Sequence, residues 1–373
     1  MRIREILFHN FRSFRGEQRI SFVDPLTDAV RPVTVIAGTN GTGKTSILDA
    51  IETLLAYVLE PDNPGELMRE VGVGGLICMT LELDPADLAQ TDDVSTSDGD
   101  GPTILRVVRG DLDLLPISIQ NNKAGLFGRL YRRKEDPHRG SPYRQVQYGM
   151  RGDPADKLRQ AVSSMYKGQA ELHGGLAYFP HNRHLDATQG GTIEPPPKDR
   201  RWLSRFSPTD QWQGSLEQLW VWQNYLDLEQ GNQRRGSLKP FVESVEKALG
   251  PDRTIIIRKG RALVSVPWIG EVGRQEQVQM DQLPSGEQQC LLLFGELARR
   301  LRPGAVIVID EPEISLHPTL QRLVAHRLRE FAREWDAQVI LATHSLKVMR
   351  AVHESERINL DQLDSTPVSQ ETP

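Results

Sequence analysis

An eight-residue segment near the start of the chain has the residue types and spacing of a phosphate-binding loop. Residues 38–45, GTNGTGKT, fit the pattern G-x-x-x-x-G-K-[ST]. Glycines at these positions let backbone N–H groups surround phosphate oxygens, and a helix that begins here adds the positive end of its dipole. Lys44 can reach the β- and γ-phosphates, and the Thr45 hydroxyl can coordinate Mg²⁺. The residues expected to contact phosphate are Gly38, Asn40, Gly41, Gly43, Lys44, Thr45 and Ser46.

Two adjacent carboxylates follow an apolar segment in the last third of the chain. Residues 306–309, VIVI, are typical of a buried strand, and Asp310 and Glu311 come directly after them. Ligands of open α/β sheets bind at the carboxyl ends of the strands, so both acids are expected beside the phosphate-binding loop. Asp310 can hold Mg²⁺ directly or through water, and Glu311 can polarise an attacking water as a general base.

A serine–glycine–glutamate sequence, residues 285–287, begins a leucine-rich helical pattern, and Ser285 precedes Asp310 by 25 residues. Serine is a good N-cap, and a helix N-terminus attracts anions, which would suit a second phosphate contact. A plain capping box from Ser285 to Gln288 has the same geometry. The spacing alone is compatible with both interpretations.

Two further polar motifs follow in the same region. Residues 314–318, ISLHP, come after the two carboxylates, and His344 follows the apolar segment 339–342. In this order the motifs resemble those of ABC-type ATPases of the RecF-, SMC- and OLD-like branch, where ISLHP occupies the place of the D-loop and His344 that of the switch histidine. The opening segment 6–14, ILFHNFRSF, also resembles the first strand and turn of that branch.

The resemblance implies a P-loop ATPase head that takes ATP and Mg²⁺ and dimerises around two nucleotides. The signature serine and glycine of one subunit would then bind the γ-phosphate held by the other. The implied catalytic residues are Lys44, Glu311 and His344, the metal ligands are Thr45 and Asp310, and the remaining nucleotide contacts are Arg12, Ser13, Ser285, Gly286 and Glu287.

The chain departs from this family at one position. The family places a glutamine after a strand that leads into the helical lobe, but the strand-like segment 176–180 is followed by His181 and Asn182. We expect one of these two to take the role of that glutamine. A metal cluster of His181, His184 and Asp186 is the less favoured alternative, because no matching ligand pair occurs elsewhere.

Residues 121–206 are strongly basic, although the chain as a whole carries a net charge of −5. They contain sixteen Lys or Arg and eight Asp or Glu, a local net charge of +8, with interleaved tyrosines. Such a composition suits contact with a nucleic-acid backbone, but a solvated surface or an acidic protein partner would explain it equally well. The candidate nucleic-acid contacts are Arg129, Arg132, Arg133, Lys134, Arg139 and Arg144.

Composition sets the broad class. The 373 residues are 38% hydrophobic and 25% charged, as in a folded globular protein. Long apolar runs and a secretory signal are absent from the sequence, and the two cysteines form no CxxC pair. We therefore expect a reduced, cytoplasmic protein without a membrane partner.

Periodicity predicts an α/β fold. Apolar strand patterns at 33–37, 305–309 and 339–342 alternate with helical patterns at 47–59, 287–301 and 318–335, which indicates a mainly parallel core sheet. An N-terminal antiparallel β portion is predicted from 3–8 and 20–23, with paired strands at 77–83 and 104–108. Residues 212–249 are predicted to be helical, and a hairpin is predicted around Lys259 and Gly260. We expect the ATPase core at 1–60 and 250–373, and an inserted helical lobe at 61–249 with a mobile surface loop at 91–102 and a second loop or linker at 190–199.

The resulting functional hypothesis is a dimeric ATPase whose nucleotide state gates DNA or partner binding in repair or anti-phage defence. Little chain remains for a second catalytic domain, so a nuclease or toxin effector would be encoded separately. A static ATP-dependent scaffold with little hydrolysis is the alternative. A transporter ATPase subunit is less favoured, because 240 residues separate Thr45 from Ser285.

Overall fold

The computed structural model describes residues 1–63, 65–88, 102–134, 142–149, 153–171, 173–183, 195, 201–207, 216–231, 239–250, 252–268, 273–300 and 302–365. Its helices are α1 Lys44–Leu59, α2 Glu66–Glu70, α3 Ile117–Asn121, α4 Pro154–Lys167, α5 Leu216–Glu229, α6 Lys239–Leu249, α7 Ser285–Arg300, α8 Pro318–Glu334 and α9 Leu346–Arg350. Its strands are β1 Arg2–Phe11, β2 Phe14–Ser21, β3 Val33–Ala37, β4 Leu76–Leu83, β5 Thr103–Asp111, β6 Leu126–Arg133, β7 Tyr143–Tyr148, β8 Leu176–Phe179, β9 Leu203–Arg205, β10 Thr254–Arg258, β11 Arg261–Pro267, β12 Gln275–Gln279, β13 Val306–Asp310, β14 Gln338–Thr343 and β15 Arg357–Asn359.

The core is a six-stranded sheet in the order β15-β3-β14-β13-β8-β9, in which every neighbouring pair is parallel. The predicted α/β class and parallel core sheet are therefore confirmed. In a parallel sheet all carboxyl ends lie along one edge. The phosphate-binding loop after β3, His344 after β14, Asp310 and Glu311 at the end of β13, and His181 after β8 consequently meet at that edge.

The four central strands β3, β14, β13 and β8 are buried on both faces, which explains why they are mainly apolar rather than alternating. Val306 and Val308 of β13 pack into the cluster that contains α1, whereas Ile307 and Ile309 pack into the cluster on the opposite face with α6, α7 and α8. Residues at successive positions of one strand thus contact different layers.

A second six-stranded sheet has the order β2-β1-β4-β5-β6-β7 and is antiparallel except for the β5–β6 pair. It confirms the predicted N-terminal antiparallel portion and the predicted pairing of 77–83 with 104–108, in which Leu81 lies opposite Leu105. Its buried face packs against α1, on the side of the core sheet opposite α7.

The segment 61–249 is more varied than a purely helical lobe. It supplies β4 to β7, which continue the sheet begun by β1, and β8 and β9, which complete the core sheet. Because β4 hydrogen-bonds directly to β1, this part of the segment is continuous with the N-terminal strands. The division of the chain at residues 60 and 250 stays a prediction.

Strands β10 to β12 form a third, antiparallel sheet. The predicted hairpin is confirmed: Arg258 lies opposite Arg261, and Lys259 and Gly260 between them have φ of 52° and 71°. The predicted helical region 212–249 contains α5 and α6. The predicted loops at 91–102 and 190–199 lie almost entirely outside the described residues. Within the described part of the chain, no helix is long and apolar enough to cross a membrane.

Candidate nucleotide-binding site

The phosphate-binding loop joins β3 to α1, with α1 beginning at Lys44. Gly41 and Gly43 have φ of 85° and 96°, a left-handed conformation that residues with a Cβ rarely adopt. A Cβ on Gly43 would also lie 2.7 Å from the Phe14 ring. The glycines of the motif are therefore required by the backbone path of the loop itself.

The amino group of Lys44 lies inside this loop. Its Nζ donates to the carbonyl oxygens of Gly38 and Thr39, both at 2.8 Å. Burial lowers the Lys44 pKa, and the carboxylates of Asp310 and Glu311 partly oppose this effect. An ammonium at this position can exchange the two carbonyls for phosphate oxygens.

The hydroxyl of Thr45 donates to the carboxylate of Asp310 across 2.9 Å, although 265 residues separate the two in sequence. Asp310 is only 2% exposed, and burial raises its pKa. A hydroxyl and a carboxylate are the hard oxygen donors that Mg²⁺ prefers. The structure thus brings together the two residues that the sequence predicts as metal ligands, and their chemistry fits that ion.

Glu311 and His344 also lie side by side. The Nε2 of His344 is 3.3 Å from the Oε1 of Glu311, and both side chains are about one-third exposed. Glu311 has a φ of 48°, and its amide donates to the carbonyl of Ala342 on the neighbouring strand. A carboxylate and an imidazole at this distance can share a proton and orient a water molecule.

His181 follows β8 beside the metal-ligand carboxylate. Its Nδ1 is 3.6 Å from the Oδ2 of Asp310, and its side chain is well exposed. The neighbouring Asn182 is also exposed. His184 and Asp186 of the alternative metal cluster lie outside the described residues, and the described part of the chain holds no group of three metal-binding side chains.

The helix that carries the serine–glycine–glutamate sequence, α7, begins at Ser285. A Cβ on Gly286 would lie 2.6 Å from the carbonyl oxygen of Ser315, so a glycine is required for α7 to approach the ISLHP segment. The carboxylate of Glu287 accepts two hydrogen bonds from the Arg253 guanidinium, at 2.7 and 3.0 Å. In this structure Glu287 therefore stabilises the start of α7.

Arg12 and Ser13 lie in the turn between β1 and β2, and Arg12 has a φ of 49°. The Arg12 guanidinium is 3.1 Å from Glu70 and 3.4 Å from Asp49 on α1. Ser13 is exposed. The turn therefore packs beside α1, and the predicted nucleotide contact of both residues stays a prediction.

The predicted basic residues lie mainly on β6 and β7, at the edge of the second six-stranded sheet. Arg132 lies opposite Arg144, and the side chains of Arg132, Arg133 and Arg144 are exposed. Arg129 is 3.6 Å from Asp62, and Lys134 directly follows β6. Arg139 lies outside the described residues.

Two contacts with the site have no signal in the sequence. Arg183, 3% exposed, donates to the carbonyl oxygens of Pro180, Asp310 and Glu311 at 3.0, 2.7 and 3.0 Å. Burial lowers its pKa to about 10. Near the end of the chain, the carboxylate of Asp361 accepts from the amide and hydroxyl of Thr39. The sequence does not indicate the roles of Arg183 and Asp361, because their partners are distant in sequence and include backbone groups.

Comparison with known proteins decides the family. Residues 131–350 match the family described as "AAA domain, putative AbiEii toxin, Type IV TA system", and residues 5–153 match a second family described as "AAA domain". The chain belongs to the first of these families. The matched ranges contain the phosphate-binding loop, Ser285, Asp310, Glu311 and His344. The predicted identity of the chain as an AAA-family P-loop protein is thereby confirmed.

Solved structures of SMC heads are similar in outline. A head bound to the C-winged helix domain of ScpA has 14% identity and a TM-score of 0.47, with 96% of this chain and 94% of that chain covered. The SMC head domain from Thermotoga maritima has 15% identity and a TM-score of 0.43, with coverages of 94% and 92%. The head from Pyrococcus furiosus bound to the C-terminal domain of ScpA has 13% identity and a TM-score of 0.46, with coverages of 96% and 93%. No curated protein sequence matches the chain significantly.

Proposed function

We propose that this chain is an ATP hydrolase that binds ATP with Mg²⁺ at the edge of its parallel sheet. The observation that carries this proposal is the 2.9 Å contact between Thr45 and Asp310, which joins the phosphate-binding loop to the strand-end carboxylates. An ATPase needs a metal ligand on both elements, and the fold supplies both at one point.

Each polar side chain then has a defined task. Lys44 binds the β- and γ-phosphates in place of its own loop carbonyls, and Glu311 accepts a proton from the attacking water while His344 holds that carboxylate in place. Mg²⁺, when bound by Thr45 and Asp310, would neutralise charge on the phosphate oxygens. His181 stands beside Asp310 and is our candidate for the role of the missing glutamine.

The proposal includes a dimer in which two chains enclose two nucleotides. It is supported by the position of Ser285 and Gly286 at the N-terminus of the sixteen-residue helix α7, where amide groups and the helix dipole favour an anion. If a monomer hydrolysed ATP alone, the N-terminus of α7 would have no phosphate to bind.

We further propose that nucleotide state controls a separately encoded effector, in a defence role. The family description names a toxin of a toxin–antitoxin system, which supports this class of role over membrane transport. DNA is a second candidate partner, favoured by the exposed Arg132, Arg133 and Arg144 on β6 and β7. Purification from the native operon context, followed by identification of co-purifying proteins, tests the effector.

The deciding experiment on catalysis compares the wild-type chain with Glu311→Gln in a phosphate-release assay with ATP and Mg²⁺. We expect ATP binding to persist and hydrolysis to fall by about 10²–10⁴, the usual contribution of a general base. Glu334→Gln, an exposed glutamate on α8, is the matched control and should behave as wild type. Equal hydrolysis by Glu311→Gln and wild type would overturn the assigned base.

The same variant separates turnover from scaffolding in the cell. If Glu311→Gln abolishes hydrolysis and the biological activity falls with it, turnover is required. If the biological activity survives, ATP acts as a structural ligand and the scaffold alternative is correct.

A further inference from the structure

One carboxylate oxygen holds the loop that carries His344. The Oε1 of Glu313 accepts hydrogen bonds from the Thr343 hydroxyl at 2.7 Å, the His344 amide at 2.7 Å and the Ser345 amide at 3.0 Å. These three consecutive residues run from the last residue of β14, Thr343, to Ser345, which directly precedes α9. Hydrogen bonds from backbone N–H groups to an ionised carboxylate are among the stronger ones in proteins.

A second contact ties the same loop down. The hydroxyl of Ser345 donates to the side-chain oxygen of Gln321 at 2.7 Å, and the amide nitrogen of Gln321 donates to the carbonyl of Leu316 at 2.9 Å. Ser345 also caps α9 by accepting from the amides of Lys347 and Val348. The loop is therefore held to the segment after β13 and to the helix that follows it.

Glu313 stands two residues after Glu311, and the two carboxylates contact the same loop in different ways. Glu311 reaches the imidazole of His344 at 3.3 Å, whereas Glu313 binds the backbone of the same residue. The side chain of His344 is about one-third exposed, so packing restricts its ring only in part. The position of its backbone therefore determines how close the imidazole lies to Glu311. Both contacts, Glu311 with the imidazole and Glu313 with the backbone of His344, are present together in this structure.

We infer that Glu313 is a positioning residue that sets His344 beside Glu311 for the hydrolysis of ATP. This inference rests on the proposed ATPase function. Glu313 acts through the loop and does not touch the nucleotide. Its requirement is an oxygen acceptor at the correct reach, rather than a negative charge at the metal site.

Four variants test this role by kinetics. Glu313→Ala should lower kcat for ATP by about 10–100-fold with little change in KM, as is typical when the support of a functional group is removed. Glu313→Gln keeps an acceptor oxygen at the same reach, whereas Glu313→Asp keeps the charge but is one methylene too short. We therefore expect Gln to retain more activity than Asp. Glu334→Ala on α8 is the control and should leave kcat unchanged.

A double-mutant cycle with His344→Ala separates positioning from an independent role. If Glu313 acts through His344, the Glu313→Ala change should cost almost nothing in the His344→Ala background. An equal loss in both backgrounds would overturn the inference, and so would Glu313→Asp outperforming Glu313→Gln.

A measurement without ATP keeps this inference separate from the proposed function. Hydrogen exchange of the His344 and Ser345 amides should accelerate at least about tenfold in Glu313→Ala and less in Glu313→Gln, because their acceptor is lost or weakened. Unchanged exchange refutes the anchoring by Glu313. Absence of ATPase activity in the wild type, with faster exchange in the variant, would refute the proposed function but leave the anchoring intact. If Glu313→Ala does not fold, Glu313→Gln and Glu313→Asp decide by the same two readouts.

Discussion

Replacing Arg183 with alanine should destabilise the protein through the same residues that form the candidate metal site. The guanidinium is 3% exposed and donates to three carbonyl oxygens, two of which belong to Asp310 and Glu311. Its own carbonyl accepts from the side chain of Gln289 on α7 at 3.2 Å. The change therefore removes the side-chain link between the segment after β8 and the end of β13, whereas the backbone contact with α7 remains.

The size of the effect follows from these contacts. A hydrogen bond to a charged group contributes about 1.5–3 kcal/mol, and three bonds from one guanidinium do not add independently. A buried carbonyl left without its donor costs about 1–3 kcal/mol, so for three such groups that are not independent we expect the free energy of unfolding to fall by about 3–5 kcal/mol. For a chain of 373 residues, with an unfolding entropy of about 2.1 cal/mol/K per residue, that loss should lower Tm by about 4–6 °C.

The assay is thermal unfolding followed by circular dichroism, together with ATP binding. Arg183→Lys keeps the charge but cannot donate to three carbonyls from a planar fork, so its Tm should lie between those of wild type and alanine. Arg132→Ala, at an exposed position on β6, is the control and should change the free energy of unfolding by less than about 0.5 kcal/mol. An Arg183→Ala protein with the Tm and ATP affinity of wild type would refute the reasoning.

Three further predictions concern other parts of the chain. Asp361→Ala should weaken ATP binding in a titration, because Asp361 accepts a hydrogen bond from Thr39 of the phosphate-binding loop. The Thr39 amide lowers the Asp361 pKa, so the contact is lost only as the pH falls through that lowered pKa. The difference in ATP affinity between variant and wild type should therefore be constant from pH 6 to 8. Gly286→Ala should cost about 1–3 kcal/mol in a denaturant titration, since its new Cβ would lie 2.6 Å from a backbone oxygen; full stability would show that the backbone can move apart. Burial raises the pKa of both the Cys78 and Cys290 thiols to about 12, so only about one in ten thousand is ionised at pH 8, and Ellman's reagent should react with them in denaturant but not in the folded protein.

Much of the site can be predicted because its functional residues lie in short, contiguous sequence motifs. The loop at 38–45 needs glycines for its own backbone, and Asp310 and Glu311 directly follow an apolar strand. A parallel sheet then brings strand ends together, so that the meeting of Thr45, Asp310 and His344 follows from strand patterns alone. The sequence also predicts the helices and strands of the core to within a few residues, because their apolar periodicity lies within each segment.

Other features had no such local pattern. The strands β6 and β7 continue the sheet that contains β1, although the sequence predicts no strand at 126–133 or 143–148, because sheet membership depends on hydrogen bonds between distant segments. The family resemblance implies a nucleotide contact for Glu287, and that contact stays a prediction. The structure adds a partner that the sequence does not indicate, Arg253, which lies 34 residues earlier.

The sequence by itself determined the phosphate-binding loop, the strand-end acids and the parallel arrangement that unites them. Only the tertiary structure decided what holds them in place: Arg183 on the carbonyls of Asp310 and Glu311, Glu313 on the amides after β14, and Asp361 on the loop amide of Thr39. In sequence, Arg183 is 127 residues from Asp310, Glu313 is 31 residues from His344, and Asp361 is 322 residues from Thr39. Backbone N–H and C=O groups are the same in nearly every residue, so no residue pattern can show which side chain will bind them.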